Sequence, residues 1–189
     1  MKKGLIAIIS VIIVVIIIAV SLASSYNGFV DKEEALQTAQ SAISVQLQRR
    51  ADLIPNFVST VKGYSDYEQS TFTAVTEARS KVASASGAAE QAEASAQLDR
   101  AIDIWVNAVT EAYPELKANE QYNALLDELA GTENRIAVAR KDYNDSVEVY
   151  NKAVRRFPGS IVAGIFGFEK AERFEADESA NSAPIVDFN

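Results

Sequence analysis

The chain of 189 residues contains no cysteine and no histidine. Without cysteine there is no disulfide, no thiol chemistry and no Cys-based metal site. Without histidine, the usual zinc sites, His-ligated haem, Ser-His-Asp triads and the Glu-x-x-His di-iron motif of helical bundles are also excluded. No acidic loop with Gly at ligand spacing suggests a Ca²⁺ or Mg²⁺ site. We therefore predict no catalytic residue, no cofactor and no metal.

Basic residues are also scarce, with 18 against 26 acidic residues and a net charge of −8. Lys2 and Lys3 precede a long apolar run, so beyond them 16 basic residues face 26 acidic ones, a net of −10. Such a surface repels nucleic acid and anionic lipid headgroups. We therefore expect no nucleic-acid partner.

Residues 5–23 form the apolar run LIAIISVIIVVIIIAVSLA. As a helix it is about 28 Å long, close to the thickness of the hydrocarbon core of a bilayer. We therefore predict a transmembrane helix at 5–23 with the lipid bilayer as its partner. By the positive-inside rule, residues 1–4 form a cytoplasmic stub and the rest lies outside, so we expect a single-pass cell-membrane protein.

A cleaved signal peptide is the alternative interpretation of this run. Ser21-Leu22-Ala23 has the small-x-small pattern of a cleavage site. The apolar run is longer than that of an ordinary signal peptide, and no polar break precedes the site. Both features favour the anchor.

Four stretches with helical periodicity follow in residues 24–159, and no stretch shows the alternation of a strand. The first covers about 30–51, and the second begins with Asp52 as N-cap and Pro55 in its first turn. The third stops at Pro114. The fourth crosses Gly131 without a slip in register and ends at Phe157-Pro158-Gly159.

These patterns predict an all-α protein with an N-terminal transmembrane helix. We expect an elongated antiparallel four-helix bundle at 24–159, with coiled-coil-like apolar stripes, because one helix alone cannot bury them. Residues 160–189 are predicted to form an extended C-terminal tail that packs on the bundle. This tail begins with the apolar patch IVAGIFGF, which either caps the core or enters the membrane interface.

Several long blocks of the sequence are similar to those of the LemA family of bacterial membrane-anchored proteins. The blocks are Tyr26-Asn27, VQLQRRADLIPNFVSTVKGYSDYE at 45–68, Ala78-Arg79, AGTENRIAVARKDYNDSVEVYN at 130–151, Arg156-Phe157-Pro158 and Phe174-Glu175-Ala176. Tyr67 stands where the family often has His. The resemblance implies a single N-terminal span followed by an antiparallel helical bundle, and it implies no enzymatic activity.

Charged residues interrupt the apolar stripes at five positions: Arg50, Glu68, Arg79, Glu133 and Arg140. Isolated charges at core positions are costly unless they are paired. We therefore predict an inter-helix polar network among them. The alternative is that these long side chains reach solvent at the edge of the stripe.

Three classes of function remain open. The one that we favour is a non-catalytic scaffold or interaction module of the bacterial cell envelope, which binds an envelope or membrane protein of unknown identity. The second is a ligand-sensing ectodomain that acts through a membrane-spanning partner. The third is an enzyme that uses paired carboxylates, although a four-helix bundle offers no obvious long cleft for it.

Overall fold

A computed structural model describes residues 2–62 and 69–174. Five α-helices follow one another in these ranges: α1 (Lys2–Lys62), α2 (Gln69–Ser84), α3 (Ala88–Ala112), α4 (Glu120–Arg155) and α5 (Gly159–Phe166). A 3₁₀ helix at Pro114–Ala118 joins α3 to α4. The described ranges contain no strand, which confirms the all-α class. The four-helix arrangement and the domain boundaries stay predictions.

Helix α1 is a single helix of 61 residues with Pro55 inside it. The predicted break at Asp52 is therefore wrong. The Asp52 side chain does not cap a new helix but accepts a hydrogen bond from Gln48 Nε2 at 2.8 Å. Ala51, Ile54 and Phe57 are all buried, so packing on both sides of Pro55 offsets the helix-breaking cost of the proline, about 3 kcal/mol.

The second predicted stretch is divided, since α1 ends at Lys62 and α2 begins at Gln69. Two later helix ends agree with the sequence. Helix α3 ends at Ala112, just before Pro114, as predicted. Helix α4 continues through Gly131 and ends at Arg155, next to the predicted stop. The turn between α2 and α3 is made by Gly87, whose φ of 81° is one that L side chains rarely adopt.

The chain divides into two compact units. Among the described residues, the span unit comprises 2–38 and 145–171, and the core unit comprises 39–62, 69–144 and 172–174. In the span unit, Phe29, Tyr150, Val162 and Ala163 form a buried apolar cluster.

The core unit is organised around an aromatic cluster. The Phe57 ring centroid lies 4.8 Å from that of Trp105 and 5.1 Å from that of Tyr122. All three side chains are almost completely buried. Rings from α1, α3 and α4 thus join these helices.

The predicted tail begins with helix α5, which ends at Gly167 in a left-handed conformation. The chain then runs without regular structure to Phe174. In the span unit, Asn151 Nδ2 donates to Ala171 O at 2.9 Å, and the Ala171 N–H donates to Asn151 Oδ1 at the same distance. The sequence-based expectation that Pro184–Asn189 is extended lies outside the described residues.

Candidate functional site

The most strongly buried charge among the described residues belongs to Arg50 of α1. Only 3% of its side chain is exposed. Its Nη1 lies 3.2 Å from Asp99 Oδ1 of α3, and its Nη2 lies 3.7 Å from Glu133 Oε2 of α4. One guanidinium therefore joins three helices of the core unit, and the structure brings the predicted residues Arg50 and Glu133 together.

Arg140 of α4 completes this charged group, which we call the polar layer. Burial raises the pKa of Asp99, although the Arg50 and Arg140 guanidiniums pull it down. Burial also lowers the pKa of Arg140, while the Asp99 carboxylate opposes that shift. The Arg140 guanidinium lies over the Phe174 ring, 5.8 Å from its centroid, so an aromatic face adjoins this cation.

Uncharged polar side chains are also buried in the core unit. Gln91 Nε2 donates to Ser44 Oγ at 2.8 Å and so connects α3 to α1. Thr132, completely buried, donates to the backbone oxygen of Leu129 at 2.7 Å. Ser95 is also completely buried. The Arg50 Nε, Ser95 Oγ, Gln91 Oε1, Arg140 Nε and Arg140 Nη2 atoms are buried without a hydrogen-bond partner among the described residues.

Two predicted members lie elsewhere. Arg79 Nη2 is 3.8 Å from Asp52 Oδ1, and both side chains are largely exposed. This pair joins α2 to α1, but an exposed pair contributes little to stability. Glu68 lies outside the described residues.

Asp99, the nearest anion to Arg50, was not among the residues predicted from the sequence. Asp99 adjoins the apolar stripe of α3 at Leu98 and therefore did not interrupt the stripe. One signal could have identified it: a buried arginine needs a carboxylate on a facing helix.

A group of exposed ion pairs was also not predicted. The guanidiniums of Arg49 and Arg135 both contact Glu128 Oε1, at 2.7 and 2.8 Å.

A second candidate site is a cleft of about 330 Å³ in the span unit. Its polar lining comes from Ser24, Ser25 and Lys32 of α1 and from Arg156 just after α4. Its other walls are formed by Gly28, Phe29, Ala153, Phe157 and Gly159. Lys32 Nζ donates to Gly28 O at 2.9 Å, so the ammonium points back toward the apolar start of α1.

The span unit also exposes large apolar side chains, of which Phe157 lines the cleft. Phe157 is 82% exposed, and Ile161, Ile165 and Phe166 of α5 are also exposed. The Tyr26 ring centroid lies 4.9 Å from that of Phe166 and 5.7 Å from that of Phe168. The first residues after the apolar run are therefore in contact with an apolar, aromatic surface.

Within 2–62 and 69–174, no group of three or more acidic side chains could hold a metal ion. In the polar layer, the carboxylates of Asp99 and Glu133 face a guanidinium. This arrangement balances charge between helices. In the cleft, two cations and two hydroxyls could bind an anion.

The family assignment rests on most of the chain. The model of the LemA family matches residues 39–188. The chain belongs to the LemA family. The resemblance noted from the sequence blocks is thereby confirmed.

Curated relatives cover most of this LemA-family chain. It is 29% identical over 191 residues to magnetosome protein MamQ 2 of Paramagnetospirillum magneticum, covering 88% of this chain and 70% of the relative. Magnetosome protein MamQ of Magnetospirillum gryphiswaldense is 26% identical with the same coverage. Protein LemA of Metamycoplasma hominis is 26% identical over 162 residues, covering 81% and 74%.

The two candidate sites differ in their relation to the LemA match. All residues of the polar layer fall inside 39–188. The cleft combines residues of α1 that precede the match with Ala153, Arg156, Phe157 and Gly159, which lie within it. The polar layer therefore belongs wholly to the family region.

Proposed function

We propose that this LemA-family chain is a membrane-anchored protein that serves as a non-catalytic scaffold or interaction module of the bacterial envelope. The observation that carries the proposal is the composition of α1. Its apolar side chains from Leu5 to Val20 are exposed, whereas Ile43, Leu47 and Phe57 of the same helix are buried. In the part of the chain that the structure describes, α1 is the one helix long and apolar enough to cross a membrane. One helix thus supplies both the anchor and part of the protein core.

The proposed orientation places the core unit outside the cytoplasm. Its support is Lys2 and Lys3 before the apolar run and Asp31, Glu33 and Glu34 after it. Because the chain has no cysteine, a single Ser86→Cys substitution provides a clean topological probe. Ser86 is exposed between α2 and α3.

A membrane-impermeant maleimide should label Ser86→Cys on cells whose wall or outer membrane has been opened but whose cytoplasmic membrane is intact. A cytoplasmic protein with an exposed cysteine, labelled in the same sample, controls for leakage. Labelling that requires lysis of the cytoplasmic membrane would reverse the orientation. N-terminal sequencing of the mature protein adds a second check, because a start at Ser24 would mean a cleaved signal.

The non-catalytic part of the proposal is supported by the polar layer. Asp99 and Glu133 lie 3.2 and 3.7 Å from the guanidinium of Arg50. Carboxylates engaged in this way hold helices in register. They are not placed as the two free groups that glycoside hydrolysis requires.

A scaffold should present surfaces to another protein, and exposed apolar side chains are the places to probe. Val45, Ile104 and Val138 are exposed on α1, α3 and α4. A photoreactive amino acid at each position should give crosslinks in cells that differ between helices, with the same partner recovered repeatedly from one face. Lys117, on the 3₁₀ helix, is the matched exposed polar control. Identical adduct patterns at all four positions would indicate collision with abundant proteins and would contradict the scaffold role.

A further inference from the structure

The cleft in the span unit contains cationic and hydroxyl groups that the rest of the fold does not engage. Among the described residues, no hydrogen bond or ion pair involves the Arg156 side chain or the hydroxyls of Ser24 and Ser25. Lys32 uses one N–H for Gly28 O, and an ammonium has three. A guanidinium, an ammonium and two hydroxyls around one cleft match the donors that bind a phosphate.

The position of the cleft along α1 indicates which phosphate-bearing molecule lies next to it. Ser24 and Ser25 directly follow the apolar run 5–23. Gly28, which receives the Lys32 ammonium, lies five residues beyond Ala23, or about 8 Å along a helix. The headgroup region on each side of the hydrocarbon core is about 5–8 Å thick. The donors of the cleft are therefore at headgroup depth when α1 spans the bilayer.

The apolar lining distinguishes a lipid from a free anion. Phe157 lines the same cleft and is 82% exposed, although it is one of the largest apolar side chains of the unit. A site for inorganic phosphate would not use such a ring. The acyl and glycerol portion of a lipid would cover it.

We propose that this cleft binds the phosphodiester group of a membrane phospholipid. Lys32 and Arg156 are its cationic ligands, Ser24 and Ser25 donate hydrogen bonds, and Phe157 packs on the apolar part of the lipid. The net negative charge of the chain does not oppose this, because exposed charges more than about 8–10 Å away are screened by salt. The site thus makes a contact to the bilayer in addition to the span.

The test uses the full chain in a non-ionic, phosphate-free detergent and isothermal titration calorimetry. The probes are dihexanoylphosphatidylethanolamine, dihexanoylphosphatidylglycerol and inorganic phosphate. We expect Lys32→Gln with Arg156→Gln to weaken lipid binding at least tenfold. The matched control, Lys117→Gln with Arg155→Gln, removes the same charge from exposed residues outside the cleft and should change the affinity less than twofold. Inorganic phosphate should bind at least tenfold more weakly than either lipid.

Equal weakening in both double variants would show a net-charge effect and overturn the site, as would unchanged binding in the first. Inorganic phosphate binding as tightly as lipid would show a free-anion site and overturn the lipid assignment. If the Gln pair lowers the helical circular dichroism signal, Ser24→Ala with Ser25→Ala decides instead, with an expected loss of threefold or more.

The inference rests on the anchor in the proposed function, and carbonate extraction separates the two. Protein released from membranes by carbonate means that the anchor fails. Protein that stays in the membrane pellet but shows no loss of lipid affinity in the variants means that only the lipid site fails.

Discussion

Arg50 of α1 and Asp99 of α3 form an ion pair whose two partners are unequally removed from water. The Arg50 side chain is 3% exposed, whereas that of Asp99 is 30% exposed, and their Nη1 and Oδ1 atoms lie 3.2 Å apart. The cation therefore carries the larger desolvation cost. The Nε and Nη1 atoms of Arg50 lack a hydrogen-bond partner with good geometry. The pair therefore acts mainly by balancing charge and not through a directional hydrogen bond.

Replacing Arg50 alone should destabilise the core unit strongly. Arg50→Met leaves the Asp99 carboxylate without its nearest cation, and breaking a buried pair in this way costs about 3 kcal/mol. Arg50→Met combined with Asp99→Leu should recover most of that loss, because no unpaired charge remains. The free energy of unfolding of the detergent-solubilised chain, from denaturant titration followed at 222 nm, measures both.

The exposed pair of Arg79 and Asp52 is the matched control for this comparison. Its atoms lie 3.8 Å apart and both side chains are largely exposed. Arg79→Met should cost less than about 1 kcal/mol. If Arg50→Met proves as mild as Arg79→Met, the buried pair does not stabilise the fold.

The stability of the protein should also depend on pH through Asp99. Burial raises its pKa above the ordinary value of 3.8 against the pull of Arg50 and Arg140. A carboxyl with a raised pKa holds its proton more tightly in the folded chain, so its contribution to stability is present below about pH 4 and is lost as the pH rises through the folded pKa. The amide of Asp99→Asn does not ionise, so this variant does not lose stability in this way as the pH rises.

The free energy of unfolding of Asp99→Asn, relative to the wild type, should therefore increase between pH 4 and pH 7. The Arg50→Met defect should be larger at pH 7 than at pH 4, since losing Arg50 raises the pKa of Asp99 further. An opposite trend for Asp99→Asn would mean that attraction to the guanidiniums outweighs desolvation. Denaturant titrations at three pH values between pH 4 and pH 7 show whether desolvation or attraction to the guanidiniums dominates.

Gly159 should tolerate no side chain. A Cβ at this position would lie 2.6 Å from the backbone oxygen of Ala153 and 3.3 Å from the Phe29 ring. Because the first of these atoms is backbone, α5 would have to shift away from α4. Gly159→Ala should lower the free energy of unfolding by about 1–3 kcal/mol, as overpacking does.

Gly164 is the matched control, because a Cβ there meets nothing within 4 Å. Gly164→Ala should be neutral or slightly stabilising, since alanine is the better helix former by about 1 kcal/mol. Thermal unfolding of the two variants under identical conditions compares them. Equal melting temperatures would refute the close-packing role of Gly159.

Much of the helical architecture was predictable because helix signals are local. The period of the α4 stripe continued across Gly131, and Pro114 marked the end of α3. The helix break predicted at Asp52 is absent because packing outweighs the local tendency of Pro55 to end a helix. Burial of Ala51, Ile54 and Phe57 on both sides of Pro55 favours one continuous helix.

The candidate sites were predictable only in part, since they depend on which helices face each other. Arg50 and Glu133 were identified because they interrupt stripes, but Asp99 lies beside a stripe and gave no signal. The cleft combines Ser24 with Arg156, which are far apart in sequence. No periodicity in either segment indicates that they meet.

Within the core unit, the attachment of Phe174 to α4 should depend on Asn144. Its Nδ2 donates to Phe174 O, and the Phe174 N–H donates to its Oδ1, both at 2.9 Å. The Phe174 ring is buried and lies edge-on to Tyr143, with centroids 5.1 Å apart. Asn144→Ala removes both bonds and leaves the backbone of Phe174 to water, at a cost of about 1–3 kcal/mol to local stability.

Trypsin should then cleave after Arg173 at least fivefold faster, because local opening becomes more frequent. Mass spectrometry of the released C-terminal peptide measures the rate. Asn144→Asp keeps the acceptor for the Phe174 N–H but loses the donor, so its rate should lie between those of the wild type and Asn144→Ala. Asn123→Ala, which removes an exposed bond to Lys117 O, should leave the rate unchanged. Equal cleavage rates in the wild type and Asn144→Ala would show that burial of the Phe174 ring alone holds the segment on α4.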